Sequence, residues 1–368
     1  MNPGTRINTV NIGLMIFSCI AAFIMPFEVF LFAYAVMGPL HYLTEISWLH
    51  DRQYFTKGKY DNVALWGIGV IILFESLAYR YQWNWPFSSS FGNKIIFVAL
   101  TGSLLMVFVK NVYLKVFGLF FILFISNALF QPDKRDGLAF FIGALLPTLV
   151  HVFVFTGFFI LYGALKSRST SGLISFVVFI ICPVLLFLLF RDKTFVEITK
   201  YGQASYTANG DGFYDTNLSF LTNIFNVDFP QMKDAAGNLL YYEGTDKPAL
   251  DYSNAASVVF HSQAGILLMR FIAFAYTYHY LNWFSKTEVI KWHKVPKMRF
   301  VAVIVLWITS LVLYGVNYSL GLRWLYFLSF CHVLLEFPLN WVSITGIYKE
   351  GRTIARNGFK LTPALVKK

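Results

Sequence analysis

Long uninterrupted apolar segments are the feature that most restricts what this chain can fold into. A window of roughly 20 residues finds ten of them, each long enough to cross a hydrocarbon core of about 30 Å. Their approximate spans are 8–25, 27–49, 62–79, 93–109, 112–128, 137–165, 171–190, 257–284, 299–318 and 323–347. Because backbone groups in lipid must bond within their own segment, the pattern predicts an all-α polytopic membrane bundle of about ten transmembrane helices.

The division between the first two predicted helices rests on one proline. Residues 10–49 form a single apolar run that contains the stretch MPFE at 25–28. Pro26 interrupts a helix but suits the first turn of a new one. We therefore predict a boundary there, whereas one kinked helix would leave nine crossings.

The balance of residue types excludes an ordinary soluble domain. The chain is 57% hydrophobic and only 13% charged, against about 25% charged residues in soluble proteins. The first apolar run begins almost at once and lacks a small-residue cleavage site, so we expect the first helix to stay as an anchor. The cysteines lie inside apolar runs and favour neither a disulfide framework nor a zinc site. They are Cys19, Cys182 and Cys331.

Basic residues predict the orientation of the bundle. With the N-terminus in the cytoplasm, the inner loops and tails hold nineteen Lys and Arg, and the short outer loops with their helix edges hold five. Cytoplasmic loops of membrane proteins carry an excess of Lys and Arg, so both termini are predicted to be cytoplasmic. The predicted location is the inner membrane of a bacterium. The net charge of +11 is then explained by basic edges that face anionic lipid headgroups, and it requires no nucleic-acid partner.

Composition divides the chain into four parts. Residues 1–190 hold predicted helices one to seven, and 257–348 hold helices eight to ten. Between them, 191–256 is polar and rich in turn residues, which indicates an extracytoplasmic loop or small subdomain. Residues 349–368 form a basic tail, predicted to be cytoplasmic.

Four of the seven histidines lie inside predicted helices two, six, eight and ten. These are His41, His151, His279 and His332, and the other three, near helix ends or in loops, are His50, His261 and His293. At about 1.5 Å per residue, the first four fall between the middle and the inner half of the bilayer. Ionisable side chains are costly there, and imidazole is the commonest metal ligand. We therefore predict one shared metal site, the alternatives being a haem held by two histidines or separate interhelical hydrogen bonds.

Two carboxylates support this interpretation, and we predict both as catalytic residues. Glu45 follows His41 by four residues, and Glu336 follows His332 by four, which places each pair on one face of its helix. A metal-bound histidine usually donates its second ring N–H to a carboxylate or carbonyl. Alternatively the two acids ligate a second metal directly, or each makes a helix-packing hydrogen bond while protonated.

Gly38 and Pro39 stand just before His41. Proline removes a backbone hydrogen bond and kinks a helix, which opens room beside the histidine that follows. Kinks of this kind are also ordinary in membrane helices. In this setting we expect the pair to shape the site.

Four stretches together resemble the Brp/Blh family of membrane carotene-cleaving dioxygenases. They are GPLHYLTE at 38–45, TLVHVFVFT at 148–156, YTYHYLNWF at 276–284 and FCHVLLEF at 330–337. In that family, imidazoles from such motifs bind one non-haem iron. The resemblance covers the order and type of the motifs and not continuous identity. It implies a shared fold and a shared Fe(II) site more strongly than a shared substrate.

Residue by residue, the resemblance implies that His41, His151 and His279 are iron ligands and that His332 is a ligand or a near neighbour. Three positions depart from the family pattern. Glu45 stands where the family has Asp, Thr156 stands where an acid follows the second histidine, and Trp283 replaces the second histidine of the paired motif. The last change leaves His332 to supply the fourth ligand.

Arg270 is a permanent charge inside predicted helix eight, nine residues before His279. It lies roughly 13 Å outward along the same helix. One interpretation is a substrate-binding anchor for an anionic lipid or a carboxylate end. The other is a buried salt bridge, with Glu75, Glu45 or Glu336 as the partner.

The function expected from these features is that of a non-haem iron oxygenase, with dioxygen as co-substrate, acting on an apolar, membrane-dissolved molecule such as an isoprenoid or lipid. Open coordination positions at the iron would activate dioxygen, and aromatic-rich helices would shape the apolar tunnel. No two histidines lie within four residues, which excludes the histidine-box hydroxylases, and neither H-E-x-x-H nor G-x-S-x-G occurs. The alternatives are a proton-coupled transporter and a non-catalytic assembly protein.

Overall fold

The protein is an all-helical membrane bundle, seen here in a computed structural model. The structure describes residues 3–81, 83–84, 86–87, 90–130, 137–189, 195–207, 212–241, 248–286, 290–291 and 294–359. His293 and the end of the basic tail, 360–368, lie outside these ranges.

Fifteen α-helices are used below to locate residues. The first nine are α1 (Pro3–Ile24), α2 (Pro26–Phe32), α3 (Gly38–Asp51), α4 (Asp61–Arg80), α5 (Phe91–Phe108), α6 (Val112–Leu129), α7 (Gly137–Phe140), α8 (Thr156–Lys166) and α9 (Thr170–Leu188). The others are α10 (Lys200–Thr207), α11 (Tyr214–Phe225), α12 (Tyr252–His261), α13 (Gln263–Ser285), α14 (Lys297–Val316) and α15 (Tyr318–Asn357).

Eight helical spans within the described ranges are long and apolar enough to cross a membrane. A ninth is the pair formed by α12 and α13, which is bent by 55°. The remaining predicted segment, 62–79, coincides with α4, a helix of 20 residues. The chain is therefore a multi-pass membrane protein, and ten crossings remain a prediction.

The boundary predicted at Pro26 is confirmed. Helix α1 ends at Ile24, and Met25 leaves the helical conformation with φ −137° and ψ 68° before Pro26 begins α2. The end of the last helix differs from the prediction, which placed it at 347. Helix α15 continues to Asn357, because polar residues such as those at 348–357 extend a helix into water without a hydropathy signal.

Two π-helical segments interrupt the regular helices. Ala33–Met37 joins α2 to α3, and Phe141–Phe155 joins α7 to α8 and contains Pro147. π-Helical turns within α-helices occur frequently at functional sites. The kink expected from Gly38 and Pro39 is thus a π-helical turn, directly followed by α3.

Two long helices organise the interior. Helix α13 packs against α1, α2 and α9, and α15 packs against α3, α4, α5, α8 and α14. Most side chains of α13 between 265 and 283 are buried. On the outside, α6 and α14 expose large apolar side chains, as expected of surfaces that face lipid.

The described part of the polar insert packs onto the bundle. Tyr206 on α10 and Asn217 on α11 each donate a hydrogen bond to the Met269 sulfur of α13, at 2.9 and 2.8 Å. The Glu28 carboxylate of α2 accepts a hydrogen bond from the Thr199 N–H at 2.8 Å. Buried aromatic residues of the insert, among them Tyr206, Phe213 and Phe220, share one apolar core with α13, so the insert covers one end of the bundle.

A buried ion pair at the opposite end provides a test of this packing. The Lys115 ammonium contacts the Asp61 carboxylate, which also accepts the Gly58 N–H at 2.8 Å. Lys115→Met should destabilise the fold by about 3–5 kcal/mol, because it leaves Asp61 without a counter-charge. Thermal unfolding in detergent should show this loss, and Asp61→Asn combined with Lys115→Met should recover much of it. The explanation would be contradicted if the double variant were as destabilised as Lys115→Met alone. It would also be contradicted if the exposed control Lys110→Met lost as much stability.

Candidate metal centre

The structure brings together the four histidines predicted to share a site. They lie on α3, in the π-helical segment 141–155, on α13 and on α15, and each side chain is at most 5% exposed. Their ring centroids form a closed circuit. The separations are 4.6 Å for His41–His279, 5.1 Å for His279–His151, 4.7 Å for His151–His332 and 5.4 Å for His332–His41. Four separate helical segments therefore converge on one point.

The ring nitrogens approach one another in two pairs. His41 Nε2 and His279 Nε2 are 2.9 Å apart, and His151 Nε2 and His332 Nε2 are also 2.9 Å apart. Two nitrogens bound about 2.1 Å from one ion lie about 3.0 Å apart when their bonds make a right angle. The spacing within each pair is therefore that of neighbouring ligands on one metal ion.

Two of the rings are also oriented by a hydrogen bond at Nδ1, the ring nitrogen that does not face another histidine. His332 Nδ1 donates to the Ser329 carbonyl oxygen at 2.6 Å, and His279 Nδ1 lies 2.7 Å from the Thr156 hydroxyl. Since a carbonyl can only accept, His332 carries its proton on Nδ1 and presents an unprotonated Nε2 to the cluster. Such partners fix the tautomer and orientation of metal-binding histidines.

Glu45 and Glu336 lie at different edges of the cluster. Glu45 Oε2 is 3.1 Å from His41 Nε2, the same nitrogen that faces His279. Glu45 therefore contacts the ring nitrogen of His41 that faces the cluster, not the far ring nitrogen as expected. Glu336 Oε2 is 3.3 Å from His151 Nδ1, so this acid pairs with a histidine of another segment and not with His332 on its own helix.

The buried oxygens of Glu336 indicate how well a cation would fit. Glu336 is fully buried, and neither carboxylate oxygen nor His151 Nδ1 has a hydrogen bond of good geometry among the described residues. The 3.3 Å contact between them is close but poorly aligned. Removing an unpaired carboxylate from water is costly. A metal ion within the cluster would supply the positive charge that this site lacks.

The donor atoms form two overlapping groups of three, each with all atoms within 4.8 Å of one another. One contains His41, His279 and His332, and the other contains His151, His332 and Glu336. Imidazole and carboxylate donors together suit iron, zinc, copper or manganese. His332 belongs to both groups but offers a single unprotonated nitrogen, so the arrangement accommodates one ion with a neighbouring acid.

Aromatic residues that sequence reasoning missed support the rings. Tyr42 stacks on His332 with ring centroids 4.2 Å apart, and its hydroxyl lies 2.6 Å from that of Tyr280. Trp283, which stands in place of a family histidine, packs edge-on against His41 and donates to the Thr44 hydroxyl at 2.9 Å. Trp283 follows His279 by four residues, and this spacing on one helix face was the available signal.

Gly38 permits this close packing. A Cβ atom at position 38 would lie 3.3 Å from the Tyr280 hydroxyl and 3.5 Å from the Tyr42 ring. The Tyr280 hydroxyl would have to move by a few tenths of an ångström, whereas the Tyr42 ring, which carries the stacked His332 ring, would be in ordinary contact. The glycine before Pro39 therefore lets α3 approach α13 at the level of the cluster.

A cavity of about 550 Å³ adjoins the cluster. Leu149, Tyr276 and Ser329 line it, and each precedes a histidine of the cluster by two or three residues. Because α13 starts from the insert, these positions lie on the insert side of the histidines. Residues of α11 also line the cavity, which therefore lies between the histidine-bearing segments and the insert and has the volume of a ligand pocket.

Arg270 lies away from this cavity. Its side chain is fully buried, with the guanidinium 4.3 Å from the centre of the Phe23 ring, a cation–π contact. The three acids suggested as partners contact other groups: Glu45 and Glu336 contact histidines, and Glu75 accepts the Gly92 N–H at 3.0 Å. The structure therefore does not bring Arg270 together with the four histidines.

Comparison with known proteins gives no relative for this chain: no family model, no curated protein and no solved structure matches it.

The contact between Thr156 and His279 predicts an effect on metal affinity. Thr156→Val keeps the side-chain shape but removes the hydroxyl, and it should weaken metal binding by about 10–100-fold. Thr156→Ser keeps a hydroxyl and should therefore bind the metal as tightly as the unaltered chain. Competition with a chelator measures these affinities. Thr148→Val is the matched control, since the Thr148 hydroxyl bonds only backbone carbonyls of its own segment. Equal affinities in all three variants would show that the hydroxyl does not support the site.

Proposed function

We propose that this chain is a membrane-embedded non-haem iron oxygenase that acts on an apolar isoprenoid or lipid, with dioxygen as co-substrate. The observation that carries the proposal is the convergence of four buried imidazoles beside an apolar cavity. Both the donor set and the resemblance of the motifs to carotene-cleaving dioxygenases support iron.

The four histidines would hold the metal, with Glu336 in one of the two groups of donor atoms and Glu45 in contact with His41. When bound, Fe(II) supplies the electrons that activate dioxygen, a reaction that amino-acid side chains cannot perform. Ser329 and Thr156 orient two of the imidazoles, and Tyr42 and Trp283 restrict the movement of two rings. Glu336 offers a buried site at which a proton can be held beside His151.

The remaining walls position the substrate and exclude water. Side chains of α4, the π-helical segment 141–155 and α15 give the cavity a mainly apolar lining. An apolar substrate gains free energy by entering such a pocket and brings its reactive carbons beside the histidines. The same lining keeps bulk water from the reaction.

A proton-coupled transporter is the second candidate. The two His–His hydrogen bonds and the adjoining acids resemble the carboxylate and imidazole chains that carry protons in membrane pumps. Such a relay needs no metal. Metal content therefore separates the two candidates.

For the cellular setting, we propose the cytoplasmic membrane of a bacterium, with both termini cytoplasmic and the insert outside. The excess of basic residues on the side of the termini supports this orientation.

The metal is tested by alanine substitution of the histidines. Purified protein should contain about one iron per chain, and His41→Ala, His151→Ala or His279→Ala should greatly reduce it because each removes a ligand. Elemental analysis gives the stoichiometry, and His261→Ala at the end of α12 is the matched control. Full metal retention by the first three variants would exclude a shared site, and two irons per chain would favour a dinuclear centre.

Turnover is tested in a bacterial host that produces carotenoids. Expression of the chain should bleach the pigment or release an aldehyde, and the His41→Ala variant should do neither, because bond cleavage requires the loaded site. Pigment absorbance and extracted products provide the readout. Unchanged pigment with iron-loaded protein would exclude the carotenoid but leave other lipid oxidations. Absence of both iron and turnover would favour the transporter.

A further inference from the structure

The side of the histidine cluster that faces away from the cavity carries two buried polar side chains, Glu336 and Asn340 of α15. We propose that these two side chains bind an ordered water molecule between them, and that Asn340 positions Glu336 against His151 through this water. The inference rests on the proposed function, since Glu336 and His151 belong to the candidate metal centre.

Both side chains lie deep in the bundle, beyond the histidines as seen from the insert. Glu336 follows His332 by four residues and Asn340 follows it by eight, about 6 and 12 Å along the helix axis. The cavity residue Ser329 precedes His332 by three residues. Glu336 is fully buried and Asn340 is 1% exposed, so each needs a partner inside the protein.

The spacing along α15 brings the two side chains within reach of one small ligand. The chain is helical from Tyr318 to Asn357, and residues four apart on a helix have Cβ atoms about 5–6 Å from each other. Glu336 Oε2 also lies 3.3 Å from His151 Nδ1. Along the helix, Glu336 therefore stands between the histidine cluster and the Asn340 amide.

The polar atoms of both side chains are unsatisfied. Within the part of the chain that the structure describes, neither carboxylate oxygen of Glu336 and neither Oδ1 nor Nδ2 of Asn340 has a well-aligned hydrogen bond. Buried polar atoms in folded proteins are nearly always bonded to protein or to ordered water. A buried water molecule makes about three hydrogen bonds to groups of this kind.

The donors and acceptors of the pair identify the ligand. A carboxylate can only accept hydrogen bonds, whereas the Asn340 amide offers N–H donors at Nδ2. A water molecule can accept from Nδ2 and donate to Glu336 at the same time. A second cation would bind the oxygens but leave the N–H groups unsatisfied, and it would be repelled by the metal ion of the cluster. Water therefore fits both side chains.

The same water would affect the orientation of His151. Its Nε2 faces the Nε2 of His332, and its Nδ1 faces Glu336. When Nε2 binds a metal, the ring carries its proton on Nδ1 and donates it to the carboxylate. Carboxylates that hold metal-binding histidines are themselves usually hydrogen-bonded. Asn340 supplies that bond through the water, so its loss should weaken metal binding through Glu336.

A double-mutant cycle tests this connection. Fe(II) binding to the full chain in lipid nanodiscs is measured without dioxygen, by competition with a chelator. Asn340→Leu should weaken binding by about three- to tenfold, less than Glu336→Gln, because it removes a more distant partner. In the Glu336→Gln background it should have almost no further effect, because its connection to the metal is already lost. Asn340→Gln keeps the amide and should bind Fe(II) nearly as tightly as the unaltered chain.

The matched control is Thr345→Val, because the Thr345 hydroxyl bonds the Trp341 carbonyl oxygen of its own helix at 2.8 Å. It removes a polar group from α15 without touching the proposed site, and its Fe(II) affinity should be unchanged.

The water is tested by infrared difference spectra between the Fe(II)-loaded and the metal-free chain. The carboxyl band of Glu336 is the band that disappears in Glu336→Gln. An O–H stretching band that shifts when the solvent is changed to ¹⁸O-labelled water should be present in the unaltered chain. This band should be absent from Asn340→Leu, and the Glu336 band should move in that variant because the carboxylate has lost a hydrogen bond.

Equal losses of affinity from Asn340→Leu in both backgrounds would overturn the positioning role, and so would Asn340→Gln binding as weakly as Asn340→Leu. An isotope-sensitive water band that persists in Asn340→Leu would overturn the water site. If Asn340→Leu does not fold, Asn340→Ala takes its place in both measurements. Fe(II) binding that does not depend on Asn340 would remove this inference alone, whereas a chain that binds no Fe(II) would remove the basis of the proposed function as well.

Discussion

The burial of four imidazoles and two carboxylates in the interior of a membrane protein is the constraint on which the rest of the structure depends. None of these groups can turn to water, so each must be satisfied by the others, by backbone or by an ion. The hydrogen bonds to Ser329 and Thr156 and the stacking of Tyr42 meet part of this need. They also fix the relative rotation of the four segments, because a helix turned by one residue would move its histidine out of the cluster.

The apolar content of the chain explains why the scaffold could be predicted. Hydropathy places the long helices, since the hydrocarbon thickness sets the length of each segment, and the helix-breaking Pro26 places the division between the first two. It cannot place the end of α15 at Asn357, because a helix that leaves the membrane no longer needs an apolar sequence. The same limitation hid the helices of the insert, which are polar on their outer faces.

The sequence was enough to predict which residues form the site, but not which of these residues contact one another. The residues His41, His151, His279 and His332 stand out because imidazoles are rare inside apolar segments. The spacing of four residues between His332 and Glu336 suggested a pair on one helix, yet Glu336 contacts His151. That contact depends on how α15 packs against the π-helical segment 141–155, which no local pattern encodes. Tyr42 and Tyr280 were missed because aromatic residues are common throughout this chain, and Trp283 was noted only as a departure from the family motif.

The π-helical segment that carries His151 has a consequence for tolerance to sequence change. A π-helix bonds each N–H five residues back instead of four, so Phe141–Phe155 fits more residues into each turn than an α-helix of the same height. Deleting one residue within it would change the number of residues per turn, and so the rotation of His151 relative to the residues on either side of the segment. Insertions and deletions that other lipid-facing helices could absorb by sliding would here turn the imidazole out of the cluster, so the length of this segment is part of the site.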